Sequence, residues 1–130
     1  MAALTQDRTV AEIEAKHRSL PVKGATTCFQ GGLAVMDGAV VKPGVSAANL
    51  RTVGIFTETV ANPGADAAVK ANVRRGTFKF ANHGVNAVTA AHIGSDCYVE
   101  DGQTVGSLAT AKSVAGKVFQ VDADGVWVTV

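Results

Sequence analysis

Ala115-Gly116-Lys117-Val118-Phe119-Gln120-Val121-Asp122-Ala123-Asp124-Gly125-Val126-Trp127-Val128-Thr129-Val130 is the stretch whose reading decides the fold. Apolar and polar residues alternate on both sides of Asp124-Gly125, which predicts a β-hairpin, because Asp-Gly tolerates the positive φ that such turns need. The second run continues to Val130, so this end of the chain is expected to be tied into a sheet. Working back from it, the same grammar recurs. Cys97-Tyr98-Val99 is a short strand turned at Glu100-Asp101-Gly102, with Thr104-Val105 after it. Residues 88–94 predict a short helical turn, with Thr89 as cap and Gly94 as stop.

Further upstream, residues 76–80 alternate and run into the loop Ala81-Asn82-His83-Gly84. Residues 67–73 are read as a strand in spite of their alanines, which alone would favour helix. Residues 62–66 form a turn, and residues 50–60, rich in β-branched side chains, are the clearest long strand. Gly31-Gly32-Leu33-Ala34-Val35-Met36 leads into an Asp37-Gly38 turn, then Ala39-Val40-Val41 and a break at Pro43-Gly44. Strands of about five residues with turns every 8–12 residues predict an all-β domain, a compact sandwich or small barrel rather than a βαβ fold. Asp-Gly at 37–38, 101–102 and 124–125 is too unevenly spaced for a solenoid repeat.

The first 22 residues differ in kind. They carry Asp7, Arg8, Glu12, Glu14, Lys16 and Arg18 and few large apolar groups. Thr9-Val10-Ala11-Glu12 has the form of a capping box, with Val10 and Ile13 on one helical face. A helix this short is marginal without a packing partner, so the expectation is an extended or partly helical arm over residues 1–22, ordered by docking, and a β-rich domain over 23–130.

Composition narrows the function. A chain of 130 residues is long enough to bury a core without metal or disulfide staples. With 14 Gly but only 5 Phe, 1 Trp and 1 Tyr, it suits thin strands and tight turns rather than a deep aromatic ligand pocket. Twelve basic residues against 11 acidic ones leave a net charge of +1, which gives no electrostatic basis for nucleic-acid binding. Arg74-Arg75 is the only adjacent basic pair and reads as a solvated or interface element. Cys28 and Cys97 lack CxxC spacing and are read as buried small hydrophobes without a disulfide, in a chain of cytosolic origin. The start of the chain lacks the apolar core of a signal peptide, and no apolar run approaches the roughly 20 residues of a membrane span.

No catalytic, cofactor or metal constellation emerges. His17, His83 and His92 have no metal-ligand spacing. Cys97 beside His92 suggests a Cys-His pair, yet Cys97 opens an apolar strand, where a thiol packs rather than reacts. Asp122 and Asp124 lack the distal ligands of a calcium loop and are read as turn residues. Gly31-Gly32 has no Lys-Ser/Thr after it and opens a strand, so it is not a phosphate cradle.

The ordered set Gly31-Gly32-Leu33-Ala34-Val35, Val53-Gly54-Ile55, Val73-Arg74-Arg75-Gly76-Thr77-Phe78, residues 93–105, and Ala115-Gly116-Lys117-Val118 through Val128 resembles the small capsid decoration (cement) proteins of tailed bacteriophages, of the Mu-like and siphophage type. Ala3-Leu4-Thr5-Gln6-Asp7-Arg8 looks like that family's arm, and the resemblance covers nearly the whole chain. It departs where relatives would have an open, Pro- or Gly-bearing segment in place of residues 10–20, and at Glu100-Asp101-Gly102-Gln103. The resemblance implies a homotrimer on the capsid exterior that clamps major capsid subunits at three-fold and quasi-three-fold positions, made in the host cytoplasm and needing no cofactor. Its candidate interface, with the capsid or between subunits, is Leu4, Thr5, Gln6, Arg8, Val10 and Ile13 of the arm with Arg74 and Arg75. A head-tail joining or tail-tube protein would share this site-free all-β sequence, and a small enzyme or ligand-binding module is the remaining alternative.

Overall fold

The computed structural model describes residues 3–130. It is all-β: twelve strands in chain order and one 3₁₀ turn, Ala90–His92. Strands β1 (His17–Pro21), β3 (Leu33–Asp37), β4 (Val40–Pro43), β5 (Arg51–Phe56) and β7 (Lys70–Arg74) form a five-stranded antiparallel sheet in the order β1-β7-β5-β3-β4. Strands β2 (Thr26–Cys28) and β6 (Val60–Asn62) pair with each other alone. The C-terminal half closes into a five-stranded barrel, β10-β8-β12-β11-β9, from β8 (Thr77–Asn82), β9 (Asp96–Val99), β10 (Thr104–Gly106), β11 (Val114–Asp122) and β12 (Gly125–Thr129). Every barrel pair is antiparallel except β8 with β10.

Strand β3 explains how the halves become one body. Successive side chains of a strand point to opposite faces. Leu33 and Val35 enter the barrel core with Cys97, Val99, Val118, Val126 and Val128, while Ala34 faces a second core with Val22, Cys28, Val41, Phe56 and Val73. Strand β5 divides likewise, Ile55 to the barrel and Phe56 to the second core. Strand β3 thus has a core on each face, and Leu33-Ala34-Val35-Met36 reads as an unbroken apolar run for that reason.

The Asp-Gly turns work for three different reasons. In the β3–β4 hairpin Asp37 pairs with Val40, and Gly38 at φ +61° supplies the left-handed conformation. In the β11–β12 hairpin Asp122 pairs with Gly125, so the loop is Ala123-Asp124 and Gly125 already belongs to the strand. Gly125 needs no positive φ; a Cβ there would lie 2.8 Å from the Phe80 carbonyl oxygen of β8. At 101–102, Asp101 Oδ1 accepts the Gln103 N–H at 2.8 Å, an Asx turn that leaves the glycine unconstrained.

Other elements differ from the sequence reading. The run 50–60 divides: β5 ends at Phe56, and the chain crosses to pair β6 with β2. The strand read at 67–73 begins only at Lys70, because Ala67 adopts φ +66°. Strict alternation along β11 is broken by two bulges, at Ala115 and at Phe119. They turn Ala115, Val118 and Val121 toward the core and leave Phe119 exposed, since each extra residue flips the pleat that follows it. No helix forms at the expected capping box: residues 3–16 are exposed and belong to no helix or strand. The body also begins earlier than residue 23, with His17–Pro21 in the sheet and Val22 fully buried. The 3₁₀ turn follows Thr89 as read, with His92 Nδ1 accepting the Thr89 N–H at 2.9 Å and Gly94 at φ +86° just beyond.

Candidate interaction surface

The arm is the part of the molecule that its own fold does not use. Leu4, Val10 and Ile13 are 71%, 66% and 88% exposed, against a body whose core valines are almost all fully covered. Thr5, Gln6 and Arg8 are exposed as well. Three apolar side chains on one short segment, none packed, point to a surface that another molecule covers.

The arm joins β1 beside the arginine pair. Arg75 donates its backbone N–H to the Lys16 carbonyl at 2.8 Å, and His17 lies opposite Arg74. A shallow groove of about 100 Å³ runs between Ile13, Ala15, Lys16, His17, Arg18 and Arg75. Of the residues singled out from the sequence, the structure therefore brings Ile13 and Arg75 together, with Arg74 next to them. Leu4, Thr5, Gln6, Arg8 and Val10 are exposed and do not line that groove. Arg74 differs from its neighbour: its guanidinium stacks over Phe78, 5.2 Å from the ring centroid, and its buried Nε has no hydrogen-bond partner.

The groups weighed for chemistry are occupied elsewhere. Cys28 and Cys97 are free, buried and in different cores. Burial pushes the Cys28 thiol up and the Cys97 thiol to about 12, far above the range of a reactive thiolate. His92 spends its Nδ1 on the Thr89 turn. At the hairpin tip, Asp122 accepts from Gln120 Nε2 at 2.7 Å and from Trp127 Nε1 at 2.8 Å, and these bonds hold its carboxyl below the usual range. Asp124 pairs with Lys79 at 2.6 Å and is lowered by that contact. The two carboxylates thus fasten β11, β12 and β8 rather than converge on a cation. Among the described residues no group of three His, Cys, Asp or Glu could hold a metal ion, and no helix is long and apolar enough to cross a membrane.

Two features escaped the sequence reading. Glu100, taken as a turn residue, is nearly buried and pairs with Lys112 at 2.6 Å; Lys112 also donates to Ser46 Oγ at 2.7 Å, tying the β4–β5 loop to the barrel. Its sequence signal is absent, because the three residues meet only in space. The other is an open groove of about 460 Å³ between Phe29, Pro43 and Phe56 on one side and Asp101, Gly102 and Gln103 on the other. Phe29 at its rim is 65% exposed, and its only trace in the sequence is a bulky ring next to a Gly-Gly turn.

Neither models of protein families, nor curated proteins, nor solved structures give a match to this chain.

Proposed function

We propose that this protein is a structural component of a tailed-phage virion that binds the outside of the icosahedral capsid as a homotrimer and clamps neighbouring major capsid subunits. The observation that carries the reading is the pairing of a body with two cores and a common wall with an arm at residues 3–16 that presents Leu4, Val10 and Ile13 to solvent. A clamp needs a body that does not deform and a segment free to lie on another surface. Ordering the arm costs on the order of 1–2 kcal/mol per residue in backbone entropy, which only a contact surface offsets. Three such contacts on one trimer reinforce one another through effective concentration once the first is made. The ordered motifs that resemble decoration proteins give the reading its direction, and Arg74 and Arg75 at the root of the arm extend the proposed contact onto the body.

The test is decoration of purified empty shells by the full chain and by a chain beginning at Lys16, read by cryo-EM and by shell resistance to heat. The full chain is expected to add density at three-fold and quasi-three-fold positions, and the shortened chain to bind far less. Rings along a tail axis with no shell binding would replace this reading with the tail-tube one. Normal decoration by the shortened chain would move the contacts to the loops of the β-body.

A further inference from the structure

The register of β1 with β7 leaves one edge of the sheet open. Arg75 N–H bonds the Lys16 carbonyl and Val22 N–H bonds the Val69 carbonyl, and the pairs between them are Arg18 with Val73 and Leu20 with Ala71. In an antiparallel ladder, hydrogen-bonded pairs alternate with pairs whose backbone groups face away. His17 and Ser19 therefore turn their N–H and C=O groups outward, together with the carbonyl of Pro21. The bridge of Val22 to Val41 takes up the Pro21 carbonyl, while no strand lies beside His17 and Ser19 on that side among the described residues. At the far end the edge is stopped by Pro21, which lacks a donor, and by Val22, which bridges to Val41 of β4. What remains is a short acceptor for one added strand, bordered by Lys16, Arg18 and Arg75.

The same chain carries a segment with the opposite charge and no place of its own. Thr9-Val10-Ala11-Glu12-Ile13-Glu14-Ala15 puts Glu12 and Glu14 on one face when extended and Ala11, Ile13 and Ala15 on the other. Among the described residues none of Glu12, Glu14, Lys16, Arg18 and Arg75 makes an ion pair. Two β1 edges paired about Arg18 would set Arg18 against Arg18, so charge opposes edge-to-edge pairing in that register. It favours an acidic strand instead. The arm, residues 3–16, spans up to about 46 Å when extended, enough to reach a neighbouring body.

We propose that residues 9–15 of one copy add as a strand to the β1 edge of the next copy, with Glu12 and Glu14 facing the cations Lys16, Arg18 and Arg75. Backbone bonds to His17 and Ser19 hold the strand, and the charges set its register and partner. The contact is head-to-tail, so it closes into a ring when the rotation permits. It deepens the self-association proposed above and rests on it only for the number of copies. Shell binding is not its readout, so its failure bears on how free copies associate and leaves the contact with the shell to the decoration test.

The experiment measures association by sedimentation at low and high salt, with folding of each variant checked by circular dichroism and melting. The full chain is expected to associate, and more weakly as salt screens the charges. Glu12→Lys/Glu14→Lys and Arg18→Glu/Arg75→Glu should each weaken association on the order of tenfold. Mixing the two variants should raise association above that of either alone, because the arm of each then meets an edge of opposite charge on the other. Ser19→Pro removes one outward N–H without touching a bond to β7, and should abolish association at an unchanged Tm. A full chain that is monomeric throughout overturns the proposal. So does undiminished association of folded Ser19→Pro, or a mixture no more associated than its components.

Discussion

Because β3 and β5 contribute side chains to both cores, the two halves should melt as one unit, and Leu33→Ala tests this. Leu33 is fully buried in the barrel core, while the next residue, Ala34, lies in the other. Removing its side chain from a closed core costs about 3 kcal/mol, the lower end of such substitutions being set by partial collapse of the cavity. At ~2.1 cal/mol/K of unfolding entropy per residue, a chain of this length loses about 11 °C of Tm for that cost. The two cysteines make the assay local, since Cys97 sits in the barrel core and Cys28 in the other. Thiol labelling along a thermal ramp, resolved per cysteine by mass spectrometry, should show both becoming reactive at one midpoint. That midpoint should fall by about 11 °C for both in the variant. Earlier labelling of Cys97 with Cys28 unmoved would mean that the wall does not couple the cores, and the reasoning from shared strands would fail.

Four further outcomes follow from the same geometry. A chain beginning at Lys16 should melt like the full chain, whereas one beginning at Val22 loses the β1 ladder and the packing of Leu20, on the order of 3–6 kcal/mol; equal melting of the two by calorimetry would contradict the placement of β1. Gly54→Ala should cost about 3 kcal/mol or more by urea denaturation, because Gly54 sits at φ +140° with the Arg74 carbonyl oxygen 2.3 Å from any Cβ, while Gly38→Ala, at φ +61° with nothing within 4 Å, should cost only about 1 kcal/mol. The carboxyls of Asp37, Asp122 and Asp124 are held low by Lys42, by Gln120 and Trp127, and by Lys79 respectively, so their contribution is fully present above the ordinary carboxylate pKa of about 4 and is lost as pH falls through the lowered values. Acid titration followed by Trp127 fluorescence should accordingly be flat from about pH 5 to 7, and Asp122→Asn with Asp124→Asn should flatten the acid limb. Melting should be the same with and without reductant, since Cys28 and Cys97 are free and lie in separate cores; a lower Tm in reductant would require a disulfide.

Local chemistry made the strands and turns legible. Alternation at residues 76–80 and 125–129, β-branched residues in the run 50–60 and the Asp-Gly pairs each act within a few residues of chain, and strands appear at each. The run read as one strand over 50–60 nevertheless ends at Phe56, and the strand begun at Thr77 continues through Asn82 into the expected loop. The interface residues were legible only as exposed or charged positions; that Ile13 and Arg75 share one groove depends on β1 pairing with β7 across some fifty residues.

Tertiary structure decided the rest, because the deciding contacts join residues distant in sequence. Thr9-Val10-Ala11-Glu12 satisfies the pattern of a helix start, but no surface of the body lies against it, and a short amphipathic segment without a partner does not hold a helix. Phe119 belongs to an alternating run, yet a bulge opposite β12 turns it to solvent. Gly54 and Gly116 lie inside runs read as strands; each is the place where one strand's backbone meets another's carbonyl, Arg74 in the first case and Thr129 in the second. The sequence by itself determined an all-β chain with a charged, uncommitted leading segment, since propensity and turn chemistry are properties of neighbouring residues. Division of those strands into a wall and a closed barrel, and the open edge beside the arm, were decided by which apolar faces could be buried together, a condition that exists only once the chain is folded.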